Sequence, residues 1–451
     1  CLAGNEHTLS EKEEALLAKA SQMSTVPDEV FSKFNNADVK FGKVKRENGQ
    51  EDELTNGNFA TFMESQDRAV RKAAFEALYK QYGAYINTIA AAFYGNVKQA
   101  MFYADARGYK STLNMYLDGS FIPENVYKNL IKTVNDNLDK MYCYVDIRKK
   151  ALGVDELHFY DIYAPMVEDI DWKISYDEAK DIVVKALAPM GEEYVSHIKE
   201  GFNNGWVDVY ENTGKRSGAF SWGAYGTHPY VFLNYSDTLN DVFTVIHEMG
   251  HAMHTYYSNA NQPYIYAGYK IFVAEVASTC NEAILMQYML KNTDDEKKKR
   301  YLLNHFFEQF KGTLYRQTMF AEFEMEAHAK AEHGEVLSAE SLCAMYKKLN
   351  EKYFGPDMVI DDEIALEWAR IPHFYTPFYV YQYATGYSAA IAISTKILAG
   401  DEQVIAGYRK FLSGGSSMHP IELLKLCGID MTRPDVVQEA LDVFGELLKQ
   451  W

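Results

Sequence analysis

Cysteine is scarce in this chain of 451 residues: five, Cys1, Cys143, Cys280, Cys343 and Cys427, scattered with no C-x-x-C pair. An odd, sparse set excludes a disulfide framework and points to a reducing cytoplasm. Long apolar runs are missing too; the longest candidate, "YSAAIAISTKILAG", is broken by polar residues and too short to span a bilayer. The expectation is a soluble protein with no membrane partner. Positive charge is in deficit, with Lys+Arg 45 against Asp+Glu 63 and a formal net charge of −18, so a phosphate backbone would be repelled and nucleic acid is not an expected partner. No internal repeat or low-complexity tract stands out, and nothing signals an oligomeric state. Cys1 as a lipidated first residue is a weaker reading than a chain beginning mid-protein, because "CLAGNEHTLSEKEE" runs almost at once into a capped helix.

What is abundant is helical periodicity in a composition that is 47% hydrophobic, enough to bury a large core. Ser10-x-x-Glu13 reads as a capping box, and "AVRKAAFEALYKQYGAYINTIAAAFYGNVKQAMFYADA" carries apolar residues at three- and four-residue spacing over many turns. Strand signals are few. "ADVKFGKV" and "NGNFATFM", flanking "KRENGQEDELT", predict a small hairpin with an irregular loop, and "HPYVFLNY" is a third strand, preceded by the glycine-rich "ENTGKRSGAFSWGAYGTHP". The expected fold class is mainly α, with a few short strands beside one chemically distinctive helix.

That helix is "TLNDVFTVIHEMGHAMHTYY". Thr238-x-x-Asp241 fits an N-cap with its carboxylate partner, so His247 and His251 fall one turn apart. Glu248 lies about 60° around the helix from His251, close enough to share a cavity without sharing a point. This separates two jobs: imidazoles for a zinc ion, a carboxylate for the water that the ion activates. Chance alone yields the pentapeptide in on the order of one chain in a hundred of this length, so a helix with two incidental histidines is the competing reading. A catalytic zinc needs a third protein ligand. The pattern with a third histidine fails here, because Tyr257 stands where it would be. In "KIFVAEVASTCNEAILMQYML", Glu275 is flanked by the small Ala274, Ala277 and Ser278, which would let its helix approach closely; Glu282, on the same face, could orient a ligating histidine. His254, two turns from His247, suits helix packing or the substrate side.

"GAYGTHPYVFLNYSDTLNDVFTVIHEMGHAMHTYYS", "FVAEVASTCNEAIL", "IPHFYTPFYVYQYATGYSAAIAIS" and "FLSGGSSMHPIELLKLCGIDMTRPDVVQEAL" together resemble oligoendopeptidase F, within the thimet oligopeptidase group of zinc peptidases, in order from about His7 to Leu448. The resemblance implies a large, mostly helical, deeply channelled zinc metallopeptidase that cuts short peptides internally, with residues 1–451 as one helical catalytic region. It implies His247, His251 and Glu275 as ligands of one zinc and Glu248 as the base, with Met249 where leucine is commoner. Members of the group carry a further helical segment ahead of "HTLSEKEE", which leaves a fragment, a nicked product and a shortened enzyme as alternatives. A zinc-holding peptide binder without turnover, its channel incomplete, and a helical scaffold with an incidental motif are the two rivals.

In "HFYTPFYVYQYATGYSAA", Tyr379, Tyr383 and Tyr387 recur every four residues and would form one phenolic stripe on a helix, with His373 just upstream. Peptide hydrolysis puts negative charge on the former carbonyl oxygen, and donors that are neutral at pH 7 suit it. The resemblance favours His373, Tyr379 and Tyr383 for this role; an aromatic core stripe, in a chain with 34 tyrosines, is the alternative. "THPYVFLNY" is expected to offer an edge strand to an extended peptide.

Overall fold

The computed structural model describes residues 6–168, 170 and 172–451, so the terminal Cys1 lies outside the described residues. The chain is predominantly helical with five short strands among the described residues, and none of its helices is long and apolar enough to cross a membrane. It divides into two compact units, each assembled from three stretches: Cys1–Gly119, Asn135–Met166 and Thr318–Tyr381 form the first; Ser120–Val134, Val167–Gln317 and Gln382–Trp451 form the second.

In the first unit the Ser10 capping box opens the Glu11–Ser24 helix as the sequence predicts. The long periodic run becomes two helices, Arg68–Ala84 and Ile86–Ala106, parted at Tyr85. Asp67 caps the first of them by accepting from Ala69 N at 2.8 Å. The hairpin exists, with strands displaced from those expected. Strand β1 (Lys43–Lys45) pairs antiparallel with β2 (Glu51–Glu53), while the "NGNFATFM" segment holds the Phe59–Met63 helix instead of a strand. The turn explains the shift. Arg46 and Gln50 bond across it, and Gly49 takes φ +83°, so the Asn48-Gly49 pair closes a tight turn inside what reads as a loop.

The buried ion cluster of this unit is centred on Asp161, whose side chain has no solvent exposure. Arg68 and Arg71 each reach it at 2.8 Å, and His158 N donates to it at 3.0 Å. Burial alone would raise its pKa, yet the two guanidiniums and the amide outweigh that and hold it below the ordinary aspartate value.

In the second unit, β3 (Val207–Asp208), β4 (Phe220–Trp222) and β5 (Tyr230–Phe232) form a sheet in the order β3-β5-β4, parallel on one side of β5 and antiparallel on the other. The "HPYVFLNY" strand is therefore central and its backbone is already paired, with Val231 N on Trp206 O and Leu233 N on Asp208 O, both at 2.8 Å. It is not the edge expected from the sequence; the edges of this sheet are β3 and β4. The core of the unit is built on two largely buried helices, Leu239–Asn261 (the motif helix) and Ile271–Lys291 (the partner helix), the second of them apolar nearly all round. Their buried residues include Val242, Val245, Ile246, Met249 and Met253 on one, and Val273, Val276, Ala277, Cys280 and Ile284 on the other.

Asp161→Asn keeps the shape at the centre of the ion cluster and removes its charge. It should destabilise the protein by about 3–5 kcal/mol, because two arginines are left without a counter-charge. Since the folded pKa is depressed, the native aspartate's contribution is present above about pH 4 and is lost as the pH falls through the folded value. Urea unfolding at pH 7 checks the first statement; a change under 1 kcal/mol would contradict it.

Candidate metal centre

The motif helix begins at Thr238, whose side chain caps Asp241 N at 3.1 Å while the Asp241 carboxylate returns to Thr238 N at 2.9 Å. This reciprocal cap fixes the phase of the helix, and hence the direction of every side chain on it. His247, Glu248 and His251 all lie in the second unit, as do Glu275 and Glu282 on the partner helix.

The two helices meet at Gly250. A methyl group added there would lie 2.6 Å from Ser278 Cα and 2.8 Å from Ala277 O, so the contact is backbone against backbone. The small side chains of Ala277 and Ser278, read from the sequence as permitting close approach, complete it. Asn281, fully buried, ties the pair by donating to Ile246 O at 3.3 Å, and Tyr194 donates to its amide oxygen at 3.1 Å.

This approach brings three ligand atoms together. His247 Nε2 lies 3.5 Å from Glu275 Oε2, His251 Nε2 lies 3.4 Å from the same oxygen, and the two Nε2 atoms are 3.1 Å apart. Donors held about 2.0–2.1 Å from a tetrahedral ion are about 3.3 Å from one another, so the triangle has the dimensions of a zinc site. It is the one such grouping of His, Cys, Asp and Glu ligand atoms among the described residues. All three groups stay partly accessible, as an open fourth position requires.

The electrostatics agree with the geometry. His247 Nδ1 is hydrogen-bonded to Glu282, and Gln309 Nε2 donates to the other oxygen of that carboxylate at 2.9 Å. With its proton on Nδ1, His247 turns the Nε2 lone pair into the triangle. Burial works against a charged His247, but hydrogen bonding and charge attraction from Glu282 win and raise its pKa. Glu275, hydrogen-bonded through His251, is held at about 2 despite burial, and is therefore an anion at neutral pH. Glu248 is buried at 7% exposure, and desolvation raises its carboxyl above the ordinary range while His247 and His251 pull the other way.

His254 is buried and stacked on Tyr269 with ring centroids 3.6 Å apart, a packing position. The phenolic stripe does not form on one helix. The helix starts at Tyr381 and carries Tyr383 and Tyr387, whereas Tyr379 precedes it in a segment of the first unit. Phe378, with φ +56°, interrupts the periodicity that the sequence suggests. Tyr379 instead lies beside His373, with centroids 6.2 Å apart and planes 20° apart. Tyr387 is a core residue, packed edge-on against Phe310 at 5.1 Å. Two contributors have no strong signal in the sequence: Gln309, which arrives from a third helix, and Asn281. Gly250 does have one, since a glycine in mid-helix costs about 1 kcal/mol and calls for a packing reason.

Gly250→Ala should push the partner helix away and enlarge the triangle. Its affinity for zinc, measured by competition with a chromogenic chelator, should fall by about tenfold or more, with helical content retained. Unchanged affinity would mean that the contact at Gly250 does not set the ligand spacing. Glu275→Ala removes one of the three candidate ligands and should weaken retention further.

Comparison with known proteins identifies the family. The model of "Peptidase family M3" matches residues 61–443, and the model described as "Oligopeptidase F" matches residues 2–41. Oligopeptidase PepF of Bacillus subtilis is 53% identical over 98% of this chain and 66% of its own length. The oligoendopeptidase F homolog of Lactococcus lactis subsp. lactis is 43% identical over 99% of this chain and 74% of its own. The crystal structure of oligoendopeptidase-F from Enterococcus faecium superposes with a TM-score of 0.84 at 37% identity, covering 99% of this chain and 74% of that one. This chain thus spans about two thirds to three quarters of the length of these relatives, and it belongs to peptidase family M3.

Proposed function

We propose that this chain is the catalytic region of a zinc-dependent endopeptidase that hydrolyses short peptides through a metal-activated water. The observation that carries this reading is the convergence of His247, His251 and Glu275 on a triangle of 3.1–3.5 Å, beside the buried carboxylate of Glu248. His247 and His251 through Nε2, and Glu275 through a carboxylate oxygen, would hold the ion. When bound there, zinc supplies Lewis-acid polarisation of the scissile carbonyl and acidifies the attacking water.

The remaining work falls to side chains. Glu248 accepts the proton of the attacking water and returns it to the leaving amine as the C–N bond breaks. Glu282, steadied by Gln309, keeps His247 in the tautomer that presents Nε2. His373, Tyr379 and Tyr383 are the donors to the oxygen that gains charge, a role supported by the family and by the imidazole and phenol groups that they carry. An extended substrate would pair with β4, which packs against the motif helix and leaves one strand edge unpaired in its sheet. A cavity of about 230 Å³ beside Thr244, bordered by Gly218, Ala219, Leu233 and Asn234, is large enough for one substrate side chain. Pairing through the backbone demands little of sequence and much of flexibility, so short unfolded peptides are the substrates. We also infer a cytoplasmic setting, supported by unpaired thiols at Cys143, Cys280, Cys343 and Cys427.

Glu248→Gln preserves shape but cannot take the proton. Turnover of a quenched-fluorescent peptide should drop by on the order of a hundredfold or more, with zinc content unchanged. Near-parental turnover would remove Glu248 from the chemistry. A parent protein that holds one zinc and binds the peptide without cutting it would transfer the reading to a binding protein.

Tyr379→Phe and Tyr383→Phe each remove one hydroxyl. An oxyanion donor lost in this way should lower kcat by roughly a hundredfold with KM little changed, since the bond strengthens in the transition state. A residue that serves only the core would instead lower the unfolding midpoint and leave kcat alone.

A further inference from the structure

The segment that carries His373 and Tyr379 is anchored upstream within the first unit. Phe374 is buried against Phe323 and Phe320, at 5.1 and 5.4 Å between centroids, and its carbonyl accepts from Asn96 at 3.4 Å. Tyr375 stacks on Phe31 at 4.4 Å. Downstream, the chain makes an uncommon turn. Phe378 sits at φ +56°, a left-handed conformation that a bulky L-residue adopts only where its surroundings enforce it.

The enforcing surface is one face of the Arg316–Glu332 helix. Glu324 is fully buried and accepts the Phe378 N–H at 2.8 Å. One turn on, the buried His328 lies 4.6 Å from the Phe378 ring, with its Nδ1 3.0 Å from Thr112 Oγ1. Another turn on, Glu332 accepts from Thr112 N and Oγ1 at 2.7 and 2.8 Å, which fixes the threonine and through it the imidazole. Tyr116 closes the other side of the Phe378 ring at 5.9 Å. The Arg316–Glu332 helix thus contacts both the backbone and the side chain of Phe378.

A carboxyl at the centre of this packing is expensive for folding alone. Burial pushes Glu324 up to about 8, against the pull of the Phe378 amide, and an apolar residue of similar volume would pack there with less desolvation. Its Oε2 accepts from the turn from which the next residue, Tyr379, emerges. We propose that Glu324 is a positioning residue, which holds the Phe378 amide so that Tyr379 leaves the turn in one direction. The catalytic consequence rests on Tyr379 acting as an oxyanion donor; the placement of the ring does not.

The test separates the two. In the full chain with 3-fluorotyrosine at position 379, the parent and Glu324→Gln, which keeps an acceptor oxygen, should give one sharp ¹⁹F resonance at nearly the same shift. Glu324→Leu, which fills the volume without an acceptor, should shift, split or broaden it. The same ¹⁹F spectrum in folded Glu324→Leu as in the parent would overturn the proposal, whether or not the protein cleaves peptides. In the peptidase assay, Glu324→Leu should lower kcat by about tenfold or more with KM within about twofold, Glu324→Gln should recover most of the loss, and the effect should vanish in a Tyr379→Phe background. A full further loss in that background would reduce Glu324 to a general structural role and overturn the proposal. Should leucine not be accommodated, Glu324→Ala removes the same acceptor and is read in the same way. A parent protein without peptidase activity would count against the proposed function and leave the fluorine comparison to decide this one.

Discussion

The backbone contact between the motif helix and the partner helix at Gly250 is the constraint on which the candidate centre depends. Two histidines on one helix can define a line; the third vertex must come from another element, at a distance set by the packing of main chains. Glycine at 250 opposite Ala277 and Ser278 permits an approach that any larger residue would prevent, with a new methyl only 2.6 Å from Ser278 Cα. The Asn281–Ile246 hydrogen bond then adds a polar latch in the fully buried part of the interface. Dispersion and desolvation hold the helices together, while this single amide restricts sliding along the axis, since its partner carbonyl occupies one register.

From that contact outward, orientation passes through hydrogen bonds. The Glu282 carboxylate is shared between His247 and Gln309, so the imidazole is set by a residue that is itself set. Each partner removes a rotational freedom before any ion arrives, which lowers the ordering cost of binding. The concentration of negative charge in Glu248, Glu275 and Glu282 around two imidazoles is sustainable for the same reason. A divalent ion held by His247, His251 and Glu275, as proposed above, would balance that charge.

Much of the centre was legible in the sequence because it rests on local periodicity. The Thr238 cap, the i, i+4 histidines and the carboxylates at 275 and 282 follow from helical spacing, and the structure brings all four of those side chains together. Where non-local pairing decides, legibility ends. The β5 strand reads as a strand correctly, but its neighbours are chosen by Trp206–Val209 and by β4, which no local pattern announces. The second hairpin strand falls in what reads as the loop because Asn48-Gly49 outweighs the apolar runs on either side. Tyr379 matched a four-residue repeat by coincidence: the left-handed Phe378 breaks the helix before Tyr381, and Glu324, which accepts from its amide, lies more than fifty residues upstream on another helix. The division into two units is a further property of tertiary contacts that a continuous run of helical signals conceals.

The shortness of β4 has a kinetic consequence. Three residues, Phe220 to Trp222, present an unpaired edge and can offer an incoming extended chain only two or so main-chain hydrogen bonds. An edge of that length cannot template a growing sheet, so copies of the protein have little to gain by stacking there, despite the exposed Trp222 and Phe220. For an extended peptide paired there as proposed, the same limit would mean a shallow well: association would be undemanding, and a cut that divides the pairing between two fragments would leave each with too few contacts to linger.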